Sequence, residues 1–81
     1  MSNQNKHPYQ NKEGGGEFGK RLKAERIRRG FQLLAFATAT GIDQTQISGY
    51  ENRFVQPTLA SAIAMAKALE CSLDWLVGLE D

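Results

Sequence analysis

Apolar residues recur at helical spacing from Phe18 onward, and nowhere do they alternate as they would in a strand. The first helix is expected over about Glu17 to Arg29, with an acidic residue at its start, bases at its end and Gly30 as its stop. Phe18 and Leu22 line one stripe of it, and Arg26 and Arg29 continue that stripe, so an arginine there needs a partner; Ile27 falls on the far side with no core role. A second, apolar helix follows from about Leu33 to Thr40, with alanines at 35, 37 and 39 small enough to let another helix cross closely. Gly41 suits the left-handed backbone that ends such a helix, Ile42 packs under the turn, and Asp43 has the side-chain oxygen to cap a third helix starting at Gln44. Arg53 to Gln56 then form a loop, and Pro57-Thr58 opens a fourth helix on which Leu59, Ile63, Ala66 and Leu69 keep helical spacing with Ala62 and Met65 alongside. Ser72 caps a last short helix, with Leu73, Trp75, Leu76 and Leu79 available for packing and Met65 and Cys71 expected as plain core residues.

The first sixteen residues break this pattern. They are rich in Asn, Gln and Lys, end in three glycines and hold no apolar periodicity, so they cannot bury enough surface to offset their ordering entropy. The domain division is therefore a disordered tail at 1–16, containing His7 and Tyr9, and one small all-α domain at 17–81. With 81 residues and 41% apolar content, the helices must share a single core. One cysteine allows no internal disulfide and lacks the spaced partners of a metal site, which favours a reducing compartment; no segment has the length of a membrane span or the layout of a signal peptide, and the expected location is cytoplasmic.

Net charge is only +1, but it is unevenly spread. Residues 17–30 carry six bases against two acids, while 31–81 carry Arg53 and Lys67 against six acids. The basic first helix could hold a polyanion, although a charge run on a short helix is more often a solvated face. The third helix is chemically more specific. At about 100° per residue, Ile47, Tyr50 and Glu51 fall on one side, and Thr45, Ser48, Gly49 and Asn52 on the other, with Gln44 projecting from the first turn. That second side is small and hydrogen-bonding, as a helix that reads DNA requires. A glutamine amide such as that of Gln44 can accept from N6 and donate to N7 of adenine, and a threonine such as Thr45 can offer a methyl to thymine or a hydroxyl to phosphate.

Taken in order, Phe36-Ala37, Gly41-Ile42, Ile47-Ser48 with Tyr50-Glu51-Asn52, Pro57-Thr58-Leu59, Ala66-Lys67-Ala68-Leu69 and Ser72-Leu73-Asp74-Trp75-Leu76-Val77-Gly78 form a specific series. From Phe18 to Gly78, about three quarters of the chain, it resembles the Cro/C1-type helix-turn-helix family of phage and bacterial repressors. The resemblance implies a compact, lambda-repressor-like bundle of five helices, the third laid in the major groove and the second spanning a backbone phosphate. Carried over by position, Gln44, Thr45, Ser48 and Gly49 match base-facing sites and Asn52 a site near the phosphates. Arg28, Arg29, Gln32 and Arg53 are the further phosphate candidates. Arg26 and Glu51, both on inward faces, match positions where an ion pair recurs, and a buried pair is expected. Two departures stand out. Gln32-Leu33 occupy positions where the family often has a small capping residue and then Gln, and Arg53-Phe54-Val55 stand where Gly and then Lys or Arg are common. Gly49 either permits close approach to the groove or marks a reader that has lost a contact.

The expected function is a sequence-specific regulator of transcription, a repressor or Cro-like protein, bound to double-stranded operator DNA as a homodimer through Phe54 and Val55. The alternative is a module of the same fold used chiefly to bind protein through such exposed apolar residues, with DNA binding weak or lost. No nucleophile has a base beside it and no carboxylate pair is identifiable, so no enzyme activity, cofactor, metal or small-molecule ligand is expected.

Overall fold

The computed structural model describes residues 16–80; the tail expected at 1–16 lies outside the described residues except for Gly16, which opens the first helix. Five helices are present: α1 (Gly16–Arg28), α2 (Leu33–Thr40), α3 (Gln44–Asn52), α4 (Leu59–Leu69) and α5 (Leu73–Leu76). Most helix boundaries have a local cause. Gly30 takes a left-handed conformation just beyond α1, and Gly41 (φ 74°) closes α2 by donating its N–H to the Ala37 carbonyl at 2.8 Å. Asp43, Thr58 and Ser72 cap α3, α4 and α5, accepting from the backbone N–H of Thr45, Ser61 and Trp75 at 2.9, 3.1 and 3.1 Å. Glu70 ends α4 in the left-handed region at φ 54°, with its own N–H on Lys67 O and that of Cys71 on Ala66 O.

The core forms where the five apolar stripes meet: Phe18 and Leu22 of α1, Phe36 and Ala37 of α2, Ile47 and Tyr50 of α3, Met65, Ala66 and Leu69 of α4, and Leu76 of α5. Full burial of an aliphatic side chain such as Leu22, Ile47 or Leu69 is worth roughly 1.5–3 kcal/mol, so this cluster is the main cohesive force. Phe18 meets Tyr50 edge-on with ring centres 6.2 Å apart, and Phe31 tilts against Phe36 at 5.4 Å. Packing joins α1 to α3, α2 to α3 and α4, and α5 to both α4 and α1.

On α4 the inward stripe is Ala62, Met65, Ala66 and Leu69, while Leu59 and Ile63 are exposed; helical spacing gave the element but not which of two adjacent stripes faces the core. Arg29 likewise leaves the buried stripe of α1 for the surface, Cys71 is half-buried rather than core, and Leu79 is exposed. The chain end is held to α1 by Arg21. Its guanidinium pairs with Glu17 at 2.8 Å, donates to the carbonyls of Trp75 and Glu80, and lies 5.0 Å from the centre of the Trp75 ring.

Candidate nucleic-acid interface

Hydrogen bonds within the turn fix the geometry of the α2–turn–α3 unit. Thr40 Oγ1 donates to Phe36 O at 2.9 Å and accepts from the Ile42 N–H at 3.2 Å, which holds the buried Ile42 under the turn. α3 then starts under its Asp43 cap with Ile47, Tyr50 and Glu51 buried, as its polar and apolar pattern requires. Gln44, Thr45 and Gln46 in its first turn are exposed, and Ser48 is half-buried. Asn52 is exposed at the far end, where its Nδ2 donates to Ser48 O at 3.1 Å and its Oδ1 accepts from Lys23 Nζ at 3.3 Å.

Gly49 departs from this outward row. It is buried, because Arg53 and Val55 fold back over it: a Cβ at Gly49 would lie 2.9 Å from Arg53 Nη2 and 3.3 Å from Val55 Cγ2. The expectation of an open glycine face at the middle of the helix is therefore corrected; the surface there belongs to the Arg53 side chain. Beside it runs an open groove of about 330 Å³, bounded by Asp43, Thr45 and Gln46 at the start of α3 and by Arg53 and Gln56 beyond its end.

What fixes the pose of α3 is the Arg26–Glu51 pair. Nε and Nη2 of Arg26 donate to the two Glu51 oxygens at 2.7 and 3.2 Å, and Nη1 donates to Phe31 O at 2.7 Å. The Glu51 side chain is 2% exposed and that of Arg26 11%. One guanidinium thus ties α1, the chain entering α2, and α3 together, and the expected buried pair is present with a third partner that the sequence did not disclose.

The other first-helix arginines are engaged elsewhere. Arg28 forks onto Glu25 through Nε at 3.0 Å and Nη2, and Arg29 reaches Glu25 at 3.2 Å and Glu70 at 3.4 Å. Hydrogen bonding by Arg28 outweighs the cost of burial and, with help from Arg29, holds the Glu25 carboxyl down at about 2. Neither arginine bonds to α3. The exposed Gln32 stands just before α2 in the N-cap position, and its side chain makes no capping bond. Phe54 and Val55, in the connection after α3, are 57% and 43% exposed. Phe54 takes a left-handed backbone at φ 58°, a conformation unusual for a bulky residue.

Gly19 was not singled out in the sequence, yet it belongs to the same interface. A Cβ there would collide with the backbone carbonyl of Tyr50, so α1 and α3 touch backbone to side-chain-free backbone. The signal was available: Gly19 stands three residues before Leu22 and seven before Arg26, on the inward stripe of α1. Among the described residues, no group of His, Cys, Asp and Glu could hold a metal ion, and no helix is long and apolar enough to cross a membrane.

A family model described as helix-turn-helix matches residues 22–76. No curated protein sequence matches the chain significantly. Among solved structures, the restriction-modification controller protein C.AhdI from Aeromonas hydrophila is similar at 26% identity and a TM-score of 0.72, over 76% of this chain and 94% of that one. The P22 c2 repressor in complex with synthetic operator 9T has 28% identity and a TM-score of 0.72, over 78% and 96% of the two chains. The solution structure of the P22 c2 DNA-binding domain has 30% identity and a TM-score of 0.71, over 75% and 80%. With the matched segment running from the core of α1 through α5, and with α2, its glycine turn and the capped α3 in place, the chain belongs to the Cro/C1-type helix-turn-helix family.

Proposed function

We propose that the protein is a sequence-specific DNA-binding regulator of transcription that lays α3 in the major groove and acts as a homodimer on a two-part operator. The observation that carries this reading is the division of α3: the hydrogen-bonding side chains of Gln44, Thr45 and Asn52 stand exposed, with Ser48 half-buried among them, on a helix whose other side is fixed by Ile47, Tyr50 and the Arg26–Glu51 pair. A polar face costs nothing in water, but only a rigid one can match base edges. The similarity to a repressor solved on its operator supports the same reading. Gln44, Thr45 and Ser48 are the base-reading residues. Gln32, exposed before α2, and Asn52, beside Lys23, hold the phosphates. Arg28 and Arg29 contribute less than their charge suggests, because Glu25 already occupies both.

Titrating the wild type and Gln44→Ala on a selected site and on a scrambled duplex, at several salt concentrations, tests the reading. Loss of the glutamine is expected to cost about 1–3 kcal/mol on the selected site and little on the scrambled one, since only a base-edge contact carries sequence information. Equal weakening on both duplexes would remove Gln44 from the base-reading set.

A further inference from the structure

The reading face of α3 has a gap at its centre that a residue from beyond its end fills. Thr45, Gly49 and Arg53 stand four residues apart on one stripe, and the middle one has no side chain. Side chains on a helix lean toward its N-terminus, so each covers the turn before its own Cα. Arg53 does so across Gly49, with Nη2 at 2.9 Å and Cζ at 3.5 Å from the position a Cβ there would take. It is also the one arginine of five, among the described residues, whose guanidinium has no carboxylate or carbonyl partner; Arg21, Arg26, Arg28 and Arg29 are all engaged. An exposed, unpaired planar fork therefore lies on the turn after Thr45, next to an open groove.

The geometry points to Arg53 as a specificity-determining residue whose guanidinium replaces the side chain missing at Gly49 and reads a guanine in each half-site. The assignment rests on the DNA-reading function proposed above and names one base of its target. A guanidinium presents two parallel donors that fit O6 and N7 of guanine, a match no other base offers. A backbone-holding arginine has no need to lie over the middle turn of the reading helix, and the absent Gly49 side chain is what gives this one the room. Lysine at position 53 would keep the charge and lose the fork.

The test is selection of binding sites from a random duplex pool by wild type, Arg53→Lys and Gly49→Ala, followed by titration of single-base variants of the selected site. Wild type is expected to select guanine at one position of each half-site and to lose roughly 5- to 150-fold in affinity when that base alone is replaced. Arg53→Lys should relax that position and keep the others. Gly49→Ala should do the same with Arg53 intact, because the added Cβ displaces the guanidinium; circular dichroism melts of both variants establish that they fold. A selected sequence that is unchanged in both variants, with affinity merely lowered on all DNA, would make Arg53 a backbone contact and overturn the assignment while leaving the reading function in place. A wild type that selects no sequence would remove both.

Discussion

At the scale of single residues, the fold rests on three positions whose importance differs from their appearance. Arg26 and Glu51 are charged, yet they are inside, and removing one member of a buried pair typically costs about 3–5 kcal/mol because the other is stranded. Their losses should be unequal. Arg26→Ala strands both a carboxylate that is 2% exposed and the carbonyl of Phe31, whereas Glu51→Ala leaves Arg26 its bond to that carbonyl. Urea denaturation should therefore rank Arg26→Ala as the more damaging, and losses below about 1 kcal/mol in both would mean a solvated contact. Gly19 is the opposite case, a residue with nothing to offer except absence. Alanine is favoured over glycine within a helix by about 1 kcal/mol, but here its methyl would press on the Tyr50 carbonyl, a backbone atom that cannot turn aside. Gly19→Ala is expected to destabilise by roughly 1–3 kcal/mol in thermal or urea melts, against the propensity scale.

At the scale of elements, the sequence was most legible where a side chain acts on its own backbone. Asp43 and Ser72 could be read as caps, Pro57-Thr58 as a helix start and Gly41 as a helix stop, because those interactions span two to four residues. It was least legible where two elements meet. Leu59 and Ile63 keep perfect helical spacing and still face outward, since the stripe of Ala62, Met65, Ala66 and Leu69 beside them fits the partner helices more closely. Gly49 lies on the outward side of the wheel and is nevertheless covered, because Arg53 returns from the following turn. The end of α1 shows the same limit: its basic run could be a polyanion site or a solvated face, and the sequence did not disclose that Glu25 and Glu70 answer it. That cluster predicts a pH dependence. The Glu25 carboxyl is held at about 2 against an ordinary 4.5, so its stabilising contribution is fully present above 4.5 and disappears as pH falls through 2. Glu25→Gln should thus be less stable than wild type at neutral pH, and the gap between their denaturation midpoints should narrow below about 4.5 and close near about 2.

At the scale of the whole molecule, the described residues leave several large apolar side chains uncovered. Phe54 and Val55 stand out from the connection after α3, and Leu59 and Ile63 from one exposed stripe of the helix it leads into. A second copy related by a two-fold axis would cover such a surface and set the distance between two α3 helices. Sedimentation over a concentration series should show wild type passing from monomer to dimer and Phe54→Ser shifting that transition to higher concentration. A wild type that stays monomeric throughout, free and on DNA, would exclude the interface.

The attachment of α3 has a consequence for how such a protein can change. The buried contacts of this helix lie on its inward side, at Ile47, Tyr50, Glu51 and the close pass of Gly19, and the side chains of Gln44, Thr45 and Gln46 make no hydrogen bond or ion pair among the described residues. Substitutions at those three exposed positions should stay within about 0.5 kcal/mol of the parent stability. Target preference and foldedness are therefore separately inheritable: new operators can be explored one side chain at a time, by drift or by grafting another protein's reading residues, without re-solving the fold.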